Sequence, residues 1–360
     1  MLDDVDQIKS LDTSNVLGSV DALPDQCLHA FDEAGAIVVP DTYKDFKAII
    51  MTGMGGSGLG ARMIESAFAQ NLKLPFIRVN EYELPQWADE NTLVICSSFS
   101  GTTEETIENA KLAEAKGCKW MAISTGEALN DYAVACGVPH YKINPVHNPS
   151  RQPRMANGYS VIGQLILVAK TGLIDFDKSV VDHIVTAMKH VQSENNVSVP
   201  VSDNPAKKMA QAIFEKNLVY VSARHMTGAA HSVKNQSNEN AKTFSTIFEI
   251  PELNHHLMEG LKHPSSNKKD LVFIFIESDL YPDRISQRFE ITKDVVRQND
   301  VSTVSWKGQS ADVLSQEFEF LQFAGYVNLY LSILYHQDPA PIPWVDYFKT
   351  KLGQSLGQWK

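Results

Sequence analysis

Short apolar runs separated by stretches with helical spacing recur along almost the whole chain. In the first half such runs lie at 48–51, 75–79, 93–96, 120–124 and 140–143, and those at 48–51 and 93–96 are apolar throughout. Strands buried on both faces read this way, whereas strands with one wet face alternate. Helical patterns fill the gaps at 61–70, 104–115 and 159–171. Strand alternating with helix predicts a parallel sheet covered on both faces. A second series begins at 218–222 and continues with strands at 270–276 and 301–306. Its helices follow Gly228-Ala229-Ala230 and cover 283–298 and 323–335. The two halves share an order of elements, as a distant duplication would. Between them, 193–204 has the composition of a linker, with Asn195, Asn196 and Pro200.

Two of the apolar runs end in unusual turns. The run at 48–51 leads into Thr52-Gly53-Met54-Gly55-Gly56-Ser57-Gly58-Leu59-Gly60. The run at 93–96 leads into Ser97-Ser98-Phe99-Ser100-Gly101-Thr102-Thr103-Glu104-Glu105-Thr106. Each reads as strand, tight turn and helix start. A helix start offers unpaired N–H groups and the positive end of the dipole, and glycine lets an anion approach. Ser and Thr add side-chain donors. On neighbouring parallel strands the two turns make one phosphate pocket without lysine. The second half lacks such turns, so one pocket per chain is expected.

The first turn also satisfies GxGxxG, and Glu81 lies where a ribose-binding acid belongs, so a nicotinamide-dependent oxidoreductase is a rival reading. The dense hydroxyls of the second turn are not required by that fold. A single N-cap uses one hydroxyl, not several. No GKS or GKT follows, which excludes a nucleoside-triphosphate P-loop.

Composition narrows the field. A chain of 360 residues suits two domains, each with its own core. A formal net charge of -11 argues against a nucleic-acid or anionic-membrane partner. Cys27, Cys96, Cys118 and Cys136 show no metal-binding or CxxC spacing, which suggests reduced thiols. No apolar run approaches the ~20 residues of a membrane span, and the acidic start is unlike a signal peptide. A cytoplasmic protein is expected, with no metal.

The paired turns resemble the signature of SIS (sugar isomerase) domains, and more narrowly the bifunctional phosphoglucose/phosphomannose isomerases. Further blocks carry the same resemblance in order along the chain: Pro153-Arg154-Met155-Ala156, Asn238-Glu239-Asn240-Ala241-Lys242, Pro251-Glu252-Leu253-Asn254-His255, and Asp338-Pro339 with Val345-Asp346-Tyr347-Phe348-Lys349. The chain departs from the family at Thr102, where Asn is usual, and at Ala340, where relatives often have Thr. The resemblance implies an α/β chain of two SIS-type doubly wound parallel-sheet domains, 1–173 and 174–360. It implies a homodimer that needs no cofactor and isomerises a hexose 6-phosphate between aldose and ketose, glucose 6-phosphate and fructose 6-phosphate first, with mannose 6-phosphate left open by Ala340. Gly56, Ser57, Ser98, Ser100 and Thr103 then bind phosphate. Glu239 is the base, His255 opens the ring from the partner subunit, and Arg154 and Lys349 are cationic helpers.

These residue types suit that chemistry. A cis-enediol route needs one carboxylate whose pKa is lifted by partial burial, a histidine titrating near neutrality, and a guanidinium for the developing charge. Apart from the resemblance, alternatives stay open at several positions. Glu239 also suits a surface glutamate paired with Lys242 or Lys234, and Arg154 an exposed arginine near Arg151. His256 competes with His255, and Lys351 with Lys349. A sugar-phosphate-binding regulator without catalysis is the alternative at the level of function.

Overall fold

The computed structural model describes residues 1–356. The chain begins with three helices, α1 (Val5–Leu11), α2 (Val16–Asp21) and α3 (Leu23–Gly35). Asp4 caps α1 by accepting from Gln7 N, and Asp12 accepts from Val16 N and Leu17 N at 2.7 Å each. The first α/β unit follows: β1 (Ala48–Thr52), α4 (Leu59–Phe68), β2 (Phe76–Val79), β3 (Thr92–Ser97), α5 (Glu104–Ala115), β4 (Lys119–Ser124), α6 (Glu127–Cys136), β5 (His140–Lys142) and α7 (Asn157–Lys170).

Its five strands are all parallel in the order β2-β1-β3-β4-β5. Successive side chains of a strand face opposite sides, so each run feeds two cores. Ile49, Met51, Leu93 and Ile95 join a core with α3, α4 and α7, while Ile50, Val94 and Cys96 join Ala110 of α5 and Leu129 of α6 on the other face. The chain leaves β1 for β2 on one side, then returns past it to β3 on the other. That reversal opens a crevice at the carboxyl ends of β1 and β3.

Helices α8 (Lys178–Asn195) and α9 (Pro205–Ile213) lead into the second unit. It comprises β6 (Asn217–Ser222), α10 (Met226–Glu239), β7 (Ser245–Glu249), α11 (Asn267–Asp270), β8 (Leu271–Glu277), α12 (Asp283–Gln298), β9 (Ser302–Lys307), α13 (Val313–Leu334) and α14 (Pro343–Ser355). The strand order is β7-β6-β8-β9, again parallel, with the reversal between β6 and β8. The expected α/β class with parallel sheets and helices on both faces is therefore observed. No helix among the described residues is long and apolar enough to cross a membrane.

One continuous core runs through both halves. Helix α4 crosses α10 at Gly228, where a Cβ would lie 2.6 Å from the Met63 backbone, so only glycine permits this approach. Helix α10 ends at Glu239, which stands by Arg154 where that residue meets the first glycine turn.

Two expectations need correction. The 193–204 stretch is not a free linker: α8 continues through Asn195, and the remainder is packed. Asn204 Nδ2 donates to Asn195 O at 3.0 Å and Asn196 O at 3.1 Å, while the buried Lys207 donates to Val197 O and Val199 O at 3.0 and 2.7 Å. Helix α13 starts at Val313, not near 323, because Asp312 caps Ser315 N at 2.8 Å and the polar residues of its first turns are buried.

Candidate active site

The first turn packs tightly against the second. A Cβ on Gly53 would lie 2.8 Å from Ser97 O, so a larger residue would drive the turns apart. The 3-10 turn Gly55–Gly58 then feeds directly into α4. Ser57, nearly buried, accepts from Phe99 N through Oγ at 2.8 Å. The bond ties the two turns together and leaves the Ser57 hydroxyl proton free to be donated elsewhere. Behind the turn, Gln164 of α7 donates to Ser57 O at 2.8 Å and Ser97 Oγ at 3.1 Å.

In the second turn, Ser98 Oγ accepts from Gly101 N at 3.1 Å and donates to Thr103 Oγ1 at 2.8 Å. Ser100 Oγ lies 3.5 Å from Ser98 Oγ and accepts from Thr102 Oγ1 at 3.0 Å. Thr103 is the N-cap residue of α5, yet its side chain makes no capping bond. The first-turn amides of that helix are thus left to another acceptor, and the dipole adds positive potential there. Ser57, Ser98, Ser100 and Thr103 lie in one connected patch at the β1/β3 crevice. An anion with several oxygens is the ligand such a donor set suits.

Gly56 connects this patch to the charged residues: its Cβ position lies 3.4 Å from Arg154 Cα. Arg154 sits in the 3-10 turn Pro153–Met155 and is 4 % exposed, which removes the exposed-arginine alternative. Four of the five N–H groups of its guanidinium are engaged. Nε donates to Asn240 Oδ1, Nη1 to Gln152 Oε1 at 2.9 Å, and Nη2 to Pro339 O at 3.1 Å and Ala340 O at 2.5 Å. Gln236 Nε2 donates to Arg154 O at 3.0 Å and so holds the turn onto α10.

Glu239 Oε2 stands 3.9 Å from Arg154 Nε. Burial lifts the Glu239 carboxyl above the usual range, opposed by the charges of Arg154, Lys349, Lys234 and Lys242. Burial also pulls Arg154 down from its ordinary value, with Glu239, Asp338 and Asp346 acting against it. Desolvation therefore outweighs attraction for both partners. Such a carboxylate, its pKa raised by burial beside a fixed guanidinium, is equipped to take a proton and return it. The surface pairing of Glu239 with Lys242 or Lys234 is not observed, since neither lysine forms an ion pair with it among the described residues.

Lys349 lies on the exposed face of α14, close enough for its charge to act on Glu239. His255 ends the 3-10 turn Glu252–His255 and is exposed, as is His256, whose ring packs against Phe248 at 5.8 Å. Asn254 anchors that turn to α12 through Thr292 Oγ1 at 2.7 Å. Among the described residues, neither histidine makes a hydrogen bond or ion pair with Glu239. One chain thus brings together the hydroxyl turns, Arg154, Glu239 and Lys349, and leaves His255 facing outward. Asn240 and Lys242 were not anticipated as part of this site, although both lie in the Asn238-Glu239-Asn240-Ala241-Lys242 block.

Residues 202–352 match the bacterial phospho-glucose isomerase C-terminal SIS domain, and residues 4–139 match phosphoglucose isomerase. The chain is 32 % identical over 343 residues to the bifunctional phosphoglucose/phosphomannose isomerase of Caldicellulosiruptor bescii, covering 93 % of this chain and 98 % of that protein. The protein of the same name from Aquifex aeolicus is 28 % identical over 309 residues, 85 % of this chain and 91 % of its own length. Among solved structures, a hypothetical protein from Thermus thermophilus has the same fold, with a TM-score of 0.73 at 15 % identity over 95 % of this chain and 90 % of that one. By the extent and order of these matches, the chain belongs to the bifunctional phosphoglucose/phosphomannose isomerase family.

Proposed function

We infer that this chain interconverts glucose 6-phosphate and fructose 6-phosphate, accepts mannose 6-phosphate as a second aldose, and works in the cytoplasm as a homodimer of two-unit chains divided near residue 173. The phosphate binds the hydroxyls of Ser57, Ser98, Ser100 and Thr103 with the amides of Gly56 and the α5 start. That anchor sets the C1–C2 end of an open-chain sugar beside Glu239. Glu239 takes the proton from one carbon and returns it to the other on the same face through a cis-enediol. Arg154 stabilises the enediolate oxygen, and Lys349 adds a second positive charge from α14. His255 of the partner subunit opens the ring; its outward position on this chain supports that assignment.

The observation that carries this reading is the Gly56 contact that brings the hydroxyl patch against the buried Arg154–Glu239 pair. Purified protein, with no nucleotide or metal added, is expected to equilibrate glucose 6-phosphate with fructose 6-phosphate, followed by NMR. If neither sugar phosphate is converted, the reading fails, and binding without turnover points instead to a regulator.

A further inference from the structure

Lys242 lies two residues beyond Asn240, the C-cap of α10, with φ +50. Its Nζ donates to three main-chain carbonyls: Asn240 O at 3.0 Å, Asp338 O at 3.0 Å and Pro339 O at 2.8 Å. All three protons of an ammonium are thereby used on backbone acceptors. Arg154 donates to the same turn, and Pro339 O receives bonds from both cations. The turn is further closed by Ala340 N donating to Asp338 Oδ1 at 2.8 Å and by Thr13 Oγ1 donating to Asp338 Oδ2. Helix α14, with Lys349, begins shortly after it at Pro343.

The turn at 338–340 is thus a common support for the Arg154 guanidinium and for the helix that brings Lys349 to Glu239. The geometry points to Lys242 as a positioning residue for the isomerisation, gripping that turn so that Arg154 and α14 are held against the end of α10. This rests on the roles proposed above for Glu239 and Arg154. Three charged groups face Lys242: Arg154 from the Pro153–Met155 turn, Glu239 from α10 and Asp338 from the turn itself. Burial, then the Arg154 charge, pulls the Lys242 ammonium down to about 8, against Asp338 and Glu239. A neutral amine has one donor fewer for the same three acceptors. The grip therefore weakens as pH rises through that value.

Kinetics of wild type, Lys242→Met and Lys242→Arg across neutral and alkaline pH test this, together with hydrogen exchange of the 337–343 amides. In Lys242→Met, kcat is expected to fall about tenfold to a hundredfold, the scale of a small misplacement of catalytic groups. KM is expected to change much less, and the turn amides to exchange faster. Lys242→Arg is expected to restore most of kcat and to move the alkaline limb upward, because guanidinium stays charged there. Wild-type kcat in Lys242→Met, an unchanged alkaline limb in Lys242→Arg, or equal losses in kcat and affinity overturns the inference alone. Absence of turnover in the wild type removes the isomerase reading and this inference with it.

Discussion

The four strands of the second sheet repeat the order of four of the five strands of the first, yet the carboxyl ends of the two sheets carry different chemistry. At the β1/β3 crevice the turns present hydroxyls and the start of α5, which the side chain of its N-cap residue Thr103 leaves uncapped. At the β6/β8 crevice the protein's own groups meet: Gln316 of α13 accepts from Ser278 Oγ at 2.6 Å, lies 3.0 Å from His225 Nε2, and donates to Ser310 O at 2.7 Å. His225 and Gln316 are both buried there. Burial lowers the His225 pKa, opposed by the hydrogen bond that its ring donates to Gln316 Oε1 and aided by the Arg224 charge. The corresponding helix of the first half, α7, offers Gln164 instead, which braces the turn from behind. Topology creates a crevice in both halves. The turn residues and one inserted side chain decide whether it can receive a ligand.

The contrast predicts separate failures for the two regions. Glu239→Gln should lower kcat by about 10²–10⁴-fold while sugar-phosphate binding persists, measured by kinetics beside calorimetry. Because the base must be deprotonated and burial lifts its carboxyl, the acid limb of wild-type kcat should lie above the ordinary glutamate range and activity should rise with pH through it. Ser98→Ala at the first crevice removes one donor to a dianion and disorders the turn. KM should rise about 10–100-fold, matching ~1.5–3 kcal/mol for a charged hydrogen bond. Gln316→Leu at the second crevice strands His225 and Ser278. A stability loss of about 1–3 kcal/mol in urea unfolding is expected, with kinetics unchanged. A KM effect from Gln316→Leu equal to that from Ser98→Ala would erase the distinction between the crevices.

Much of the fold was legible because buried parallel strands are contiguous apolar runs, and helices α5 and α12 match their expected bounds of 104–115 and 283–298. What escaped was set by distant partners. The early turns of α13 read as polar because Gln316, Glu317 and Glu319 are buried by tertiary contacts that no local pattern signals. Strand β7 is only partly buried and follows the exposed Phe244, so it lacks an apolar run. In the site, the two turns were legible as local motifs. The burial of Arg154 was not, since its acceptors on Asn240, Pro339 and Ala340 lie far along the chain. Lys242 escaped for the same reason: its chemistry depends on carbonyls, which every residue has.

The N-terminal helices dock on the other end of the chain. Gln322 Nε2 donates to Val20 O at 2.9 Å, Tyr326 donates to Asp21 Oδ1 at 2.5 Å, and Asp3 lies 3.1 Å from Lys207 Nζ. The donors to these three acceptors lie 302, 305 and 204 residues further along the chain. Val16, Leu17 and Val20 of α2 are buried, and Gly325 of α13 leaves room for Val20, whose Cγ1 would lie 3.2 Å from a Cβ built there. Ordering this segment therefore waits on contacts between parts of the chain far apart in sequence, a step that costs loop-closure entropy before the contacts repay it.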